Sequence, residues 1–274
     1  MIARANRVRF SAPPRFFLIL FSAVITLALI APMNFVLISP GTPTPLFPKL
    51  ITLKDQRSFA TEGQMYLLTV MITNPDTHVQ GVAIARCWVR GDCVTVPRSI
   101  YYAPDTNDKK ERSAATQEMK SSQDLAMDAA RSAMKANFPD VDISNLKNSD
   151  LVVALKNTGG PSGGLIFSLG IVELLTPEDL LQGRKIAGTG TITSDGHVGP
   201  IGGLNEKIIG ARSVGAKILF ISKANCADLP KKVEGIQVVA ISTLSEAIAY
   251  LQSAPESGTT FNSTEFHGCA SVGA

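Results

Sequence analysis

The chain has 274 residues, of which 45% are hydrophobic and 18% charged. That balance supports one packed domain of ordinary size or two small ones and excludes an intrinsically disordered chain. Its 26 basic and 23 acidic residues leave a formal charge of +3, part of it at Arg4, Arg7, Arg9 and Arg15. So small and local a surplus excludes a nucleic-acid footprint.

Residues 1–15 read as a basic cytoplasmic N-terminus. Residues 16–38 contain no charge and are rich in Leu, Ile, Phe, Ala and Val. At about 1.5 Å per residue such a run extends roughly 34 Å as a helix, enough for the ~30 Å hydrocarbon core of a bilayer. The expectation is a single-pass anchor in the cell membrane, with the basic flank inside and everything after Ser39 extracytoplasmic. A cleaved signal peptide is the competing reading, but the run is long for one and no small-x-small cleavage site follows it. Residues 39–49 are proline-dense and read as an extended stalk.

Residues 50–114 read as a β-rich segment, with strands at 50–54, 65–73 and 82–89 and an exposed polar loop at 97–113. From 115 to 136 the apolar positions Met119, Leu125, Ala126, Ala129, Ala130, Ala133 and Met134 recur at helical spacing, and Asn137 and Pro139 end the helix. A short strand at 151–155 enters the turn 157–164, beginning at Asn157, and a buried helix follows at 165–175. Then come a strand at 186–193, a hairpin turn at Ser194 to His197, a helix at 204–214, strands at 217–221 and 236–241, and a helix at 244–251. The tail 253–274 is rich in Gly, Ser and Thr. Alternating strands and helices predict an α/β (mixed α+β) domain over 115–252 with one main core.

Cys87 and Cys93 bracket five residues and can close a small loop in an oxidising compartment, while Cys226 and Cys269 have no assigned pairing. His78, His197 and His267 are scattered, so no metal or other cofactor is expected. No G-x-x-x-x-G-K-[ST] loop occurs, so ATP is not an expected partner. Ser144 and Lys147 form an S-x-x-K pair without the companion motifs of penicillin-binding enzymes.

Two stretches can carry chemistry. Gly159-Gly160-Pro161-Ser162-Gly163-Gly164 places a serine beside glycines and at the start of a buried helix, where unpaired N–H groups and the positive end of the dipole lie. The bland reading is a tight capped turn. In Pro200-Ile-Gly-Gly-Leu-Asn-Glu-Lys207, Lys207 falls in the first turn of a predicted helix among apolar neighbours, a setting that favours a neutral amine able to act as a base. The bland reading is a surface lysine.

The combination of G-P-S-x-G, T-G-T-I-T and P-I-G-G-L-x-E-K resembles the proteolytic domain of Lon-type serine proteases. The resemblance implies a Ser-Lys dyad at Ser162 and Lys207, with Thr189 hydrogen-bonded to the lysine and Gly160, Pro161 and Gly163 shaping the turn. Two positions that are acidic in Lon proteases hold Gly159 and Thr191 here. These departures, with the apolar N-terminus, are similar to the membrane-anchored Lon-like proteins of Gram-positive bacteria, here expected without their PDZ domain. The implied function is an ATP-independent, membrane-anchored serine endopeptidase acting on unfolded or flexible polypeptides, with self-association into a homo-oligomer compatible with the family. The alternative is an inactive Lon-like fold serving as an envelope binding or scaffold protein.

Overall fold

The computed structural model of the protein describes residues 14–54, 58–155, 158–253, 262–263 and 267–269. Arg4, Arg7, Arg9, Asn157 and most of the 253–274 tail lie outside the described residues. The apolar N-terminal run does not form one helix. Helix α1 (Arg15–Ile30) has 16 residues, and its C-cap is Ala31. Pro32, which lacks an N–H and clashes with a preceding helical turn, follows at once. Pro32–Met33 pairs antiparallel with Val79–Gln80, and Phe35–Pro40 becomes strand β1. β-branched and aromatic side chains suit a pleated surface, and Val36 is fully buried on it.

Sixteen residues of helix reach about 24 Å, short of the ~30 Å hydrocarbon thickness. Among the described residues no helix is long and apolar enough to cross a membrane. This overturns the expected anchor: the transmembrane helix, the single-pass membrane placement, the membrane as a partner and the assignment to a membrane-anchored group all fall with it.

The segment expected as a stalk carries strand β2 (Thr44–Pro45) and the buried Leu46 and Phe47. Strands β3 (Gln64–Leu67) and β4 (Val70–Ile72) divide what reads as one strand at 65–73. Residues 82–89, read as a strand from their β-branched content, lie in helix α2 (Gly81–Arg90). Its buried positions Gly81, Ile84 and Cys87 recur every three residues while Val82 and Val89 face out, so helical periodicity outweighs β propensity. Gly91 closes the helix in the left-handed region at φ 64°. Cys87 is joined to Cys93, just before strand β5 (Val94–Pro97), and Cys226 to Cys269.

Helix α3 (Asp108–Asn137) starts seven residues before the predicted 115. Asn107 caps it by accepting the Lys110 N–H at 3.0 Å, with Asp108 and Glu111 in the first turn, signals lost within the polar run. Helix α4 (Gly164–Leu175) is buried on every side apart from the partly exposed Leu174, as a sequence apolar at all but Ser168 and Glu173 requires. Ala126, Ala129, Ala130 and Ala133 of α3 lie in the same core as α4, and their small side chains let the two helices approach closely.

Strands β6 (Lys185–Gly188), β7 (Ile218–Ser222) and β8 (Gln237–Ile241), with helices α5 (Leu204–Ser213) and α6 (Leu244–Ser253), complete the α/β core. One sheet has the order β8-β7-β6-β3-β2, parallel from β8 to β3 and antiparallel at the β2 edge. β1 is the centre of a second, antiparallel sheet, flanked by β4 and β5. The split between β3 and β4 is where the chain passes from one sheet to the other.

Near the C-terminal end of α4, Glu173 is 1% exposed and accepts the Leu180 N–H at 3.2 Å. Burial first, then its hydrogen bond to Asp179 and the charge there, push its acid from 4.5 up to about 8. The unfolded chain loses this proton near 4.5 and the folded one near 8, so the stability contributed by the protonated acid is lost as pH rises across that window. Glu173→Gln removes the titration. The variant is expected to gain in melting temperature on the wild type as pH rises from 5 to 8; parallel profiles would refute the assignment.

Candidate active site

Ser162 occupies a 3-10 turn, Pro161–Gly163, that runs directly into α4. Two hydrogen bonds fasten the turn to α3: the Gly160 N–H donates to Ala115 O at 3.0 Å, and Ser122 Oγ donates to Pro161 O at 3.1 Å. Gly160 has φ 90° and ψ 159°, a region populated essentially by glycine. At Gly159 a Cβ would stand 2.4 Å from the Ala115 Cβ, so the close approach of α3 leaves no room there for an acidic side chain.

On the other side, the Gly190 N–H donates to Ser162 O at 3.0 Å and the Leu165 N–H to Gly190 O at 3.1 Å. These bonds lay the segment after β6 against the serine turn. Thr189, fully buried, donates from its hydroxyl to Ser162 O at 3.3 Å. Lys207 Nζ donates to that same hydroxyl at 3.1 Å. Ser162, Thr189 and Lys207, expected together from the sequence, therefore meet at one place. Among the described residues the amine's hydrogen bond goes to Thr189, and no hydrogen bond joins Ser162 Oγ to Lys207 Nζ.

Lys207 reaches this point from the first turn of α5, which begins after Gly203 in the left-handed region at φ 67°. A Cβ at Gly203 would meet Val70 Cγ1 at 2.8 Å. The approach to the helix is held by Asn225, 1% exposed, which accepts the Ile201 N–H at 3.0 Å and donates to Ile201 O at 2.8 Å. Lys207 is 2% exposed. Burial lowers its pKa from 10.5 to about 8, against the opposing charge of Glu206. At mildly alkaline pH half of the amine is neutral.

Ser162 and Gly163 open onto a cleft of about 370 Å³ walled by Leu67, Val70, Ile72 and Met119. These wall residues and Asn225 were not singled out in the sequence; Met119 had a helical-core signal, the others only strand or loop composition. Asp195 and His197, 3.0 Å apart, lie exposed in the hairpin turn after Thr191–Ile192 and make no hydrogen bond to Ser162 or Lys207. Among the described residues no group of three His, Cys, Asp or Glu side chains is placed to hold a metal.

A profile of the Lon protease (S16) C-terminal proteolytic domain matches residues 77–253, more than half of the chain. The chain belongs to this Lon family. The Lon protease of Mesomycoplasma hyopneumoniae (strain 232) is 38% identical over 96 residues, 34% of this chain and 11% of that protein. Lon protease 2 of Herpetosiphon aurantiacus is 38% identical over 110 residues, 38% of this chain and 13% of its own length. The Lon protease of Clostridium beijerinckii is 31% identical over 125 residues, 43% of this chain and 15% of its length. This Lon-family chain thus spans a small part of the length of the relatives it matches. Family membership makes it protease-like in its proteolytic domain.

Nothing lies within 4 Å of a Cβ built on Gly160, so the cost of Gly160→Ala is one of backbone conformation and not of a clash. The expected loss is about 1–3 kcal/mol. Urea unfolding checks it, and an unchanged midpoint would refute the strain argument.

Proposed function

We propose that the domain is a serine endopeptidase in which Ser162 is the nucleophile and Lys207 the general base. The observation that carries this reading is a dry lysine amine with a pKa near 8, linked through the Thr189 hydroxyl to the Ser162 turn. A serine hydroxyl needs such a base, and a lysine serves only when it is partly uncharged near the working pH.

The neutral amine takes the Ser162 proton as Oγ attacks the scissile carbonyl. The tetrahedral oxyanion is received by backbone N–H groups of Ser162 and Gly163 at the start of α4. The Lys207 ammonium returns the proton to the leaving amine, which leaves an acyl-enzyme; water, deprotonated by the same amine, then hydrolyses the ester. Proton transfer needs Oγ and Nζ within ~2.6–3.2 Å, a contact this reading requires in the substrate complex. Thr189 accepts one N–H and so steers the amine's lone pair.

No step consumes a nucleotide, so polypeptides that are already unfolded or flexible are the proposed substrates, lying in the cleft walled by β4. A second reading, a binding scaffold without catalysis, is favoured by the missing Ser162 to Lys207 hydrogen bond and by the uncharged Gly159 and Thr191.

Assay of the purified chain on unfolded casein separates the two. Ser162→Ala and Lys207→Ala are each expected to reduce hydrolysis by about a thousandfold or more; wild-type activity no higher than both variants selects the scaffold. Below about pH 8, kcat/KM is expected to fall close to tenfold per pH unit as Lys207 becomes charged. A profile flat from pH 6 to 9 rules out Lys207 as the base. Thr189→Val is expected to lower kcat roughly tenfold, with Thr189→Ser close to wild type.

A further inference from the structure

Strand β4 sits between the Ser162 cleft and a second depression. Among the described residues it pairs with β1 alone, so one of its edges is free, and Val70, Met71 and Ile72 wall the cleft that holds Ser162. Strand side chains alternate between faces, which sets Met71 on the face opposite to Val70 and Ile72. Ser39 of β1 is the cross-strand partner of Met71 and shares its face. Met71 is 61% exposed and also lines the second depression, a cavity of about 320 Å³ that includes Ser39 and Ile209 of α5.

The second cavity is cationic. One of its walls is a single face of α2, where Ala83, Arg86, Cys87 and Arg90 follow the i, i+3, i+4, i+7 spacing. Arg86 is exposed, and among the described residues no hydrogen bond or ion pair engages it. Arg90 donates from Nε to Asp92 at 3.1 Å, which leaves its terminal N–H groups to other acceptors, and the Cys87–Cys93 disulfide closes the loop that carries this carboxylate. Two guanidiniums against one carboxylate leave a positive surplus. No other charged residue among those described lines the cavity, and none at all lines the cleft.

We infer that Arg86 and Arg90 form a cationic subsite beside Met71 that selects polypeptide substrates carrying an aspartate or glutamate at one position along β4. The inference deepens the peptidase reading of the Ser162 cleft and rests on it for its catalytic consequence. An extended chain lying along β4 alternates its own side chains, so every second one stands on the Met71 face, toward α2, while its neighbours turn the other way. The planar guanidinium fork matches a carboxylate and binds it through charge-assisted hydrogen bonds. With the cleft itself uncharged, discrimination between acidic and neutral substrates falls to α2, and it acts at alternate positions only.

The test uses the full chain and fluorogenic peptides of uncharged sequence, in which one Asp, or Asn in its place, is moved along position by position. The Asp peptide is expected to exceed its Asn twin in kcat/KM about fivefold at one position, through KM, with no preference at the positions on either side. Raising the salt concentration shrinks the ratio. In Arg86→Gln, a change at an exposed site, the ratio falls toward one, and in Arg86→Glu it falls below one. A ratio of one at every position in the wild type, a preference shared by adjacent positions, or an undiminished ratio in Arg86→Glu overturns the inference and leaves the peptidase reading in place. Fluorescence anisotropy of the same peptides, labelled, covers a chain that hydrolyses none of them. Tighter binding of the Asp peptide that is lost in Arg86→Gln then upholds the subsite and removes the peptidase reading, whereas equal binding of the twins overturns the subsite as well.

Discussion

Burying the Lys207 side chain takes its ammonium out of water, and the rest of the site is arranged around that cost. A buried lysine left alone is a liability, since desolvation disfavours its charge. Held on the Thr189 hydroxyl and lowered by burial to a pKa of about 8, it becomes a group that can change charge at mildly alkaline pH. The hydrophobic cluster that includes Leu204, Ile208 and Leu68 keeps water away from the stem of α5. The amine meets Thr189, the residue that immediately follows β6.

The serine turn depends on close packing more than on its own hydrogen bonds. Helix α3 comes near enough for Ala115 to accept from the Gly160 amide and for Ser122 to donate to Pro161 O. That approach is helped by small residues on the buried face of α3, where Ser122 and four alanines stand among three methionines. It also accounts for Gly159, where an acidic residue stands in Lon proteases: a side chain there would collide with Ala115. The cleft then forms between this turn and the passage from β3 to β4, where the chain changes sheets.

Much of the α/β core was legible in the sequence because its elements carry strong, unambiguous patterns. The largely apolar α4, α5, α6 and strands β7 and β8 sit close to their predicted positions, and α3 differs mainly in its earlier start. The misreadings share a cause. Residues 82–89 are rich in β-branched side chains but bury every third position, and residues 33–38 are as apolar as a membrane helix but follow Pro32, which ends the helix, and pair largely as strand. Composition could not distinguish these cases, because a central sheet strand and a membrane helix are both uniformly hydrophobic.

The sequence by itself determined the candidate residues, their motifs and the helices on which they ride, because local pattern and short-range sterics are written along the chain. It also placed Ser162 and Lys207 at helix starts, where backbone N–H groups and dipoles act locally. Only the tertiary structure decided that the Thr189 hydroxyl also donates to Ser162 O, that Asn225 steadies the approach to α5, that no room exists for a side chain at 159, and that the apolar N-terminus is divided between a short helix and a sheet. Each of those outcomes depends on contacts between residues distant along the chain, whose distances and burial arise when sheets and helices pack and leave no trace in the spacing of any one segment.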